Sequence, residues 1–553
     1  MKKLNLKWVT DSIGEDYKEW DEGDIIILQA QTGTGKTYFI KNKLINYINP
    51  YERLLLVCNR INLKRQLKID LLKKYHLDVP HIKDKDGNDT KKIDLKALDR
   101  IYQIENITIK SYQSIGQMAI NHEYDGKEMD LTYDYIVMDE AHYILADGGF
   151  NNKCRLAYKY LVKQHMPNTV KIFISATMEE VEVPIIHKVQ NTKTLGYKPK
   201  LKQYYTGTDY SYVNPIYFQN NLSIIINSIK NDKSDEKWLI FVTSKDNGRK
   251  IQKELGDEIS SCIFKDTKNE ELESIIQDSK FNKKVLIATK VIDNGINIVD
   301  DKLTNIVIMA WDRITFIQEL GRKRIDIENP QQINLYIPTK FMKSFMMKSN
   351  ECEYQLGEIK LLEEDPNAFN KKYDNDMVEI SKMNHLFFHE NMKTGTGKWM
   401  INLMGKARTN IDLKFYKQMM MLFKKDRKFA FIHTQLSWLG LDDTFNESKL
   451  VEEVALEDEV ESLEEYLNNA YNNDIRYDKK TFINEIEKII EHCIGSNLDE
   501  LLNKLDGGNN RNRGLKQYNK LFSLLEFDYI VTSKKFKING KLKTKWIIVK
   551  EDK

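Results

Sequence analysis

The sequence predicts an α/β fold built as two tandem lobes, followed by a mainly α-helical region and a C-terminal α+β segment. Three observations predict it. A buried-strand run, Asp24-Ile25-Ile26-Ile27-Leu28, leads into the glycine-rich segment Ala30-Gln31-Thr32-Gly33-Thr34-Gly35-Lys36-Thr37. Short continuous apolar runs recur from there to about Thr339, the pattern of parallel strands covered on both faces. Beyond Thr339 the apolar spacing turns helical, until two alternating runs meet at Asn539-Gly540, a strong hairpin signal.

The glycine-rich segment reads as a P-loop. Backbone N–H groups of such a turn point inward at phosphates, and the following helix adds its positive N-terminal end. The expected nucleotide-binding residues are Thr32, Gly33, Thr34, Gly35, Lys36 and Thr37, with Lys36 reaching the β- and γ-phosphates and Thr37 ligating Mg²⁺. Ala30 stands at the usual first glycine, where an alanine can still make the turn. A second buried run, Tyr135-Ile136-Val137-Met138, delivers Asp139-Glu140-Ala141-His142 to the ligand-binding edge of a parallel sheet. Asp139 is expected to hold Mg²⁺ through water, and Glu140 to orient the water that attacks the terminal phosphate. His142 has two readings, a coupling residue or a satisfied structural histidine. Together these residues predict a chain that binds and hydrolyses a nucleoside triphosphate.

The same residues resemble the DEAH-box-like helicases and translocases of superfamily 2, in the restriction-enzyme style, and further motifs of that group follow in order. Leu54 to Arg60, with Leu63 and Gln66, is similar to a motif that touches the nucleic-acid backbone, which implicates Arg60. Ile107 to Ser114 is similar to a threonine/tyrosine/glutamine motif and implicates Thr108 and Gln113 in nucleic-acid binding. Ser175-Ala176-Thr177 matches the motif that couples hydrolysis to domain movement. Trp238 to Ser244 resembles the opening of a second RecA-like domain. Val285 to Asn297 resembles the fifth motif, with Thr289 on nucleic acid and Gly295 at the nucleotide, although Lys290 and Asn297 replace acidic residues often found there. Gln318-Glu319-Leu320-Gly321-Arg322-Lys323-Arg324 resembles the sixth motif and adds Gln318, Arg322 and Arg324 to the catalytic set of Lys36 and Glu140. Arg322 is read as the ATP-site arginine and Arg324 as the finger, with the two roles interchangeable.

The resemblance implies two tandem RecA-like P-loop domains at 1–205 and 206–340, then a helical accessory region at 341–470 and a winged-helix-like domain at 471–553. It implies ATP and Mg²⁺ as cofactors and an ATP-dependent motor on nucleic acid, DNA rather than RNA, moving 3′ to 5′. The alternatives are a duplex-DNA translocase subunit of a restriction, defence or mobile-element complex with a nuclease or mobile-element partner, an RNA helicase, or a binding protein that uses ATP only as a switch. Lys534, Lys535, Lys537, Lys541, Lys543 and Lys545 on the final hairpin either lie on phosphates or keep an edge soluble. Lys535, Lys537 and Lys543 are carried forward as nucleic-acid contacts. Tyr17 and Trp20 either stack on adenine or belong to the core.

Other features are read down. Thr394-Gly395-Thr396-Gly397-Lys398 repeats the P-loop core, but Trp399 stands where Mg²⁺ needs Ser or Thr and no strand is expected before it, so it reads as a loop. Glu358-Ile359-Lys360 reads as a solvated helix face. The methionine-rich run from Phe415 to Phe423 reads as core or partner surface. The acidic stretch from Val451 to Tyr466 reads as a solvated face or linker, or as an occupant of a basic strand channel, and Asp506 to Asn510 as a loop. Lys and Arg number 85 against 82 Asp and Glu, so whole-chain charge of +3 gives no argument for nucleic acid. The five cysteines form no Cys-x-x-Cys pair, against an iron–sulfur or zinc-ribbon helicase and against a disulfide scaffold. With no leader pattern after Met1 and no membrane-length apolar run, the expectation is a cytoplasmic protein without membrane contact.

Overall fold

The computed structural model describes residues 3–58, 61–83, 89–146, 154–164, 166–178, 182, 185–186, 200–264, 270–289, 297–373, 377–391, 397–451, 463–494, 514–524, 527–538 and 541–550. Arg60, Gly295, the acidic run 452–462, the Asp506 to Asn510 loop and the Asn539-Gly540 turn lie outside them.

In the first lobe β1 (Ile25–Gln29) precedes the P-loop and β2 (Leu54–Val57) follows it. A ribbon of β3 (His81–Lys83) and β4 (Asp89–Ile93) stands apart. β5 (Gln103–Ile104), β6 (Ile107–Lys110), β7 (Tyr135–Asp139), β8 (Val170–Ser175) and β9 (Leu201–Tyr205) complete a sheet of order β5-β6-β2-β7-β8-β1-β9. Every pairing except β5 with β6 is parallel. β2, β7 and β8 are buried along their whole length, which is why the sequence shows unbroken apolar runs rather than alternation. Leu28 and Asp139 both pair with Ile174, so the strands before the P-loop and before the acidic box end level with each other.

The second lobe repeats the plan. β10 (Val213–Phe218), β11 (Lys237–Phe241), β12 (Ser260–Ile263), β13 (Val285–Ala288), β14 (Leu303–Ile308) and β15 (Ile333–Pro338) form an all-parallel sheet of order β12-β13-β11-β14-β15-β10. Asp312 caps the helix Arg313–Leu320 by accepting from the Thr315 N–H at 3.0 Å, and that helix carries Gln318.

From Met342 to Leu439 the described residues are helical apart from one strand pair. Helices Met342–Glu364 and Leu403–Asp426 pack along each other, joined in part by the antiparallel pair β16 (Phe387–Asn391) and β17 (Gly397–Ile401). Gly397 and Lys398 therefore begin a hairpin strand. A strand does precede the second glycine-rich run, contrary to expectation, but it pairs antiparallel with the strand that Gly397 begins; Thr394, Gly395 and Thr396 lie outside the described residues. Glu358 is also not on a solvated face, because it is buried and accepts from the Tyr373 hydroxyl at 2.7 Å and from Lys372 at 2.5 Å. In the methionine run Met419 and Phe423 are core beside Phe345 and Phe431, whereas Met421 is exposed.

Helix Leu403–Asp426 touches both lobes. Met404, with Ala407 and Ile411, packs into the first lobe's core around Tyr143 and Leu145. One turn away Arg408 reaches Asp412 at 2.9 Å and Asp312 of the second lobe at 3.9 Å. The helix Ala430–Leu439 buries Ile432 and Leu436 in the second lobe's core, and β18 (Leu450–Val451) adds a parallel edge strand beside β10.

The tail begins earlier than residue 471. Helix Leu463–Asn472 buries Leu463, Tyr466 and Leu467 with Phe482, Ile486 and Trp546, so it belongs with the C-terminal unit. Helices Lys479–Ile494 and Leu515–Leu524 follow, then the hairpin β19 (Tyr529–Ile538) and β20 (Lys541–Lys550). Tyr477 makes a single antiparallel bridge to Trp546 through two 2.9 Å bonds. Among the described residues the tail holds three helices, a single bridge residue between the first two, and a terminal hairpin that pairs back on it, the element order expected of a winged-helix-like end. Among the described residues no helix is long and apolar enough to cross a membrane.

Phe482 is fully buried against Tyr477, Tyr518 and Trp546. Replacing it with alanine is expected to cost the tail about 3–5 kcal/mol. Hydrogen exchange should show protection lost in Lys479–Ile494 and the hairpin while β1, β7 and β11 keep theirs; uniform loss would deny the tail its own core.

Candidate active site between the two lobes

The carboxyl ends of β1, β7 and β8 bring the P-loop, the acidic box and the Ser-Ala-Thr motif together. Gly33 and Gly35 have φ of +95° and +88°, the left-handed region that glycine enters without strain, and Gly35 opens the helix Lys36–Phe39. The Thr34 hydroxyl is buried and donates to the Gln31 carbonyl at 2.8 Å, pinning the turn. Lys36 donates to the Ala30 carbonyl at 2.9 Å, so its ammonium lies back over the loop. Thr37 is exposed one residue into the helix. Thr37 and Asp139 supply one hydroxyl and one carboxylate, hard oxygen donors of the kind Mg²⁺ accepts alongside phosphates and water, so the residues fit that cation.

The acidic box is wired to its surroundings. Asp139 is nearly buried and accepts from the Glu140 N–H at 3.0 Å. Glu140 sits at φ +53°, a conformation L-residues adopt at a cost, and its carboxylate faces the cleft. His142 Nδ1 lies 2.8 Å from the Ser175 hydroxyl and 3.3 Å from Glu140 Oε2. The Ser175 hydroxyl accepts from the Thr177 N–H at 3.0 Å. A continuous polar path thus runs from Glu140 through His142 to the turn after β8.

The opposite wall comes from the second lobe. Gln318 Nε2 donates to Glu140 Oε2 at 3.3 Å, and Arg322 donates to Gln318 Oε1 at 3.1 Å. Arg322 is only 2% exposed. Arg324 is held differently, its Nε donating to Asn297 Oδ1 at 2.9 Å, while the backbone of Ile298 pairs with Arg322 and Arg324. The sixth-motif loop also rests on the P-loop itself, since a Cβ on Gly321 would lie 2.7 Å from Thr32 Oγ1.

Other expected residues fall elsewhere. Thr108, expected on nucleic acid, is buried within β6 between the flanking strands, where Ile107 and Ile109 on the opposite face are buried as well. Gln113 is exposed and donates to the Tyr143 hydroxyl at 2.5 Å. Its neighbour Tyr112, not singled out from sequence, is fully buried, stacks on Tyr143 and donates to the Asp139 carbonyl at 3.0 Å. Burial pushes the Tyr112 phenol well above its usual pKa, so it remains a donor. Thr289 is half-buried just past β13. Lys535, Lys537 and Lys543 are exposed on the tail hairpin, and Arg476 lies 4.2 Å over Phe536 beside them. Tyr17 and Trp20 are core residues packed against Phe39, which removes them as adenine platforms. Trp8, an exposed aromatic, lies beside the P-loop, its ring 3.4 Å from where a Cβ on Gly35 would be. Only its position upstream of the P-loop could have signalled it.

Two family models match this architecture. The type III restriction enzyme, res subunit, covers residues 6–180 and the helicase conserved C-terminal domain covers residues 220–325. The chain belongs to superfamily 2 of the helicases. It is an ATP-dependent helicase of the restriction-enzyme type, and each matched segment falls within one of the two lobes, leaving the edge strand β9 and the strands β10, β15 and β18 outside them. Solved structures similar to this helicase include S. cerevisiae Dbp5 bound to RNA and ADP BeF3, at 18% identity and a TM-score of 0.39 over 57% of this chain and 79% of that one. A DEAD box protein from the hyperthermophile Methanococcus jannaschii shares 18% identity at a TM-score of 0.32, covering 59% and 85% of the two chains. No curated protein matches the helicase.

The contact between Gly321 and Thr32 makes a test of lobe closure. Gly321→Ala is expected to slow ATP turnover about tenfold, roughly 1.4 kcal/mol of barrier, by holding the lobes apart. Adding Thr32→Ala, which removes the clashing hydroxyl and methyl, should recover part of the rate in steady-state assays. Equal loss in the single and double variants would place the effect outside this contact.

Proposed function

We propose that this helicase hydrolyses ATP with Mg²⁺ between its lobes to move 3′ to 5′ along one strand of DNA and unwind the duplex ahead. The observation that carries the reading is the chain Glu140–Gln318–Arg322, in which the water-orienting carboxylate of one lobe is hydrogen-bonded to the arginine-bearing helix of the other. A group that must respond to a nucleotide is thereby tied to a group that must move. DNA is favoured over RNA by the match to a restriction-enzyme subunit and by the winged-helix-like tail with its exposed lysines.

In this mechanism the P-loop N–H groups and Lys36 hold the phosphates, with Thr37 and Asp139 as the Mg²⁺ donors. When bound, the cation supplies neutralisation of charge on the phosphate oxygens. Glu140 orients the attacking water; Arg322 faces the transferred phosphoryl group, where an arginine contributes about 10³–10⁵ in rate. Arg324, anchored on Asn297, acts from the fifth-motif side, and we take Arg322 as the finger. As the nucleotide changes state, Gln318 gains or loses Glu140, and His142 passes the change to Ser175 and Thr177. Trp8 is the base platform. Gln113, Thr289 and the hairpin lysines grip the strand, mostly by phosphates, so the grip is salt-sensitive and nearly blind to sequence.

A second reading keeps the motor but changes its track. The restriction-subunit match equally favours translocation on duplex DNA without strand separation, in the service of a nuclease or modification partner.

Steady-state ATP hydrolysis separates these readings. With Lys36→Ala as the blank, single-stranded DNA is expected to stimulate turnover at least tenfold over the free enzyme, and more than single-stranded RNA does. Stimulation by duplex alone would select the translocase, and preference for RNA would overturn the assignment to DNA. Glu140→Gln should lower kcat at least a hundredfold while nucleotide still binds; wild-type turnover would remove Glu140 from its role.

A further inference from the structure

The carboxyl edge of the second sheet holds a group of hydrogen-bond donors that no acceptor satisfies. β14 ends three residues before Trp311 and β15 two residues before Lys340, and the two strands are neighbours in the sheet. Lys340 is 4% exposed, and among the described residues its ammonium has neither a hydrogen-bond nor a carboxylate partner. It lies 4.2 Å over the Trp311 ring. The indole N–H of Trp311 is itself buried without a partner among the described residues. Lys348 lies 4.8 Å over the same ring. Immediately after Lys340, the 23-residue helix Met342–Glu364 follows its flanking residue Phe341 with no side-chain cap, which puts a positive helix end next to Lys340 in the chain. Of the carboxylates nearby, Asp312 and Asp412 reach Arg408, and Asp412 also feels the charge of Lys348, so Lys348 is shared between that carboxylate and this spot.

Natural structures seldom bury a donor without an acceptor, as the Trp311 indole N–H is buried here, with the Lys340 ammonium over the same ring. Cation–π contact with Trp311 offsets part of the cost of burying Lys340. Burial with Lys348 nearby still holds the Lys340 ammonium down to about 7, so its charge is secure only when a negative group shares the site. Donors without acceptors, a cation pair and an uncapped helix start make an anion site. Its place on the sheet favours one source of anion. Thr289 ends β13 on this same edge, and β15 is three strands across, roughly 14 Å at ~4.8 Å per strand. A chain of phosphates crossing the edge would meet both.

We propose that Lys340 and Trp311, assisted by Lys348, form a phosphate site that holds one backbone phosphate of the single-stranded nucleic acid at the junction of the second lobe and the helical region. This rests on the reading that a single strand is the motor's track.

The test is fluorescence anisotropy of a labelled single-stranded oligonucleotide with the full chain over a salt series. Lys340→Met keeps the shape and removes a buried charge, so its melting temperature should be at least that of the wild type. Its affinity is expected to fall about tenfold, with the log–log salt slope shallower by about 0.7, the signature of one lost phosphate contact on a single strand. Lys348→Met should weaken binding by a smaller factor, and Lys340→Arg should retain most of it. Wild-type affinity and slope in Lys340→Met would overturn the site while leaving the motor intact, whereas a wild-type protein that binds no single strand would overturn the track itself. If inorganic phosphate raises the melting temperature of the wild type but not of Lys340→Met, with strand binding equal in both, the site serves free anions and the assignment to nucleic acid fails.

Discussion

Because β1, β8 and β7 run parallel and in register, the polar residues that end them arrive side by side on one edge, and the chemistry of the first lobe depends on that alignment. Antiparallel pairing would send alternate strand ends to opposite edges and separate the P-loop from the acidic box. Parallel pairing requires crossover helices, and these bury both faces of the sheet, so the price of the alignment is a lobe with an almost wholly apolar interior. The few polar groups admitted near the edge are correspondingly well partnered. His142 faces Ser175, Tyr112 donates to the Asp139 carbonyl, and the Thr34 hydroxyl closes on Gln31.

The second lobe uses the same alignment for a different purpose. It offers a helix, Arg313–Leu320, whose far end brings Gln318 against Glu140, with Arg322 just beyond that end donating to Gln318. Gly321 matters here for what it lacks, since any side chain would meet Thr32. Nucleotide hydrolysis is therefore a property of the cleft rather than of either lobe. Positioning across a cleft suits phosphoryl transfer, which asks the protein for geometry and charge rather than for a covalent partner.

Features that depend on a few consecutive residues were legible in the sequence: the P-loop, the Asp-Glu-Ala-His box, the Ser-Ala-Thr turn, the alternation of strands with helices and the terminal hairpin. Features that depend on which side of an element faces inward were not. Thr108 lies in a fully covered strand, where apolar neighbours on both sides give no alternation to reveal its direction. Glu358 reads as one charge on a helix, but Lys372 and Tyr373, fourteen and fifteen residues away in sequence, close over it. Trp20 and Tyr17 were nearer the P-loop in sequence than Trp8, yet the fold buries them under Phe39 and leaves Trp8 beside Gly35. The hairpin at β16 and β17 escaped notice because polar residues at Glu390 and Asn391 masked its first strand.

Helix Leu403–Asp426 carries a consequence for how the two lobes can move. Its start is embedded in the first lobe at Met404, and its second turn is ion-paired through Arg408 to the cap of the helix bearing Gln318. Two bodies linked only by a flexible tether can drift apart in any direction. Two bodies fastened to one stiff rod can only swing about it, as a gate does about its post. A swing delivers displacement in proportion to distance from the post, so a small change at Glu140 becomes a longer stroke at whatever lies farthest from this helix.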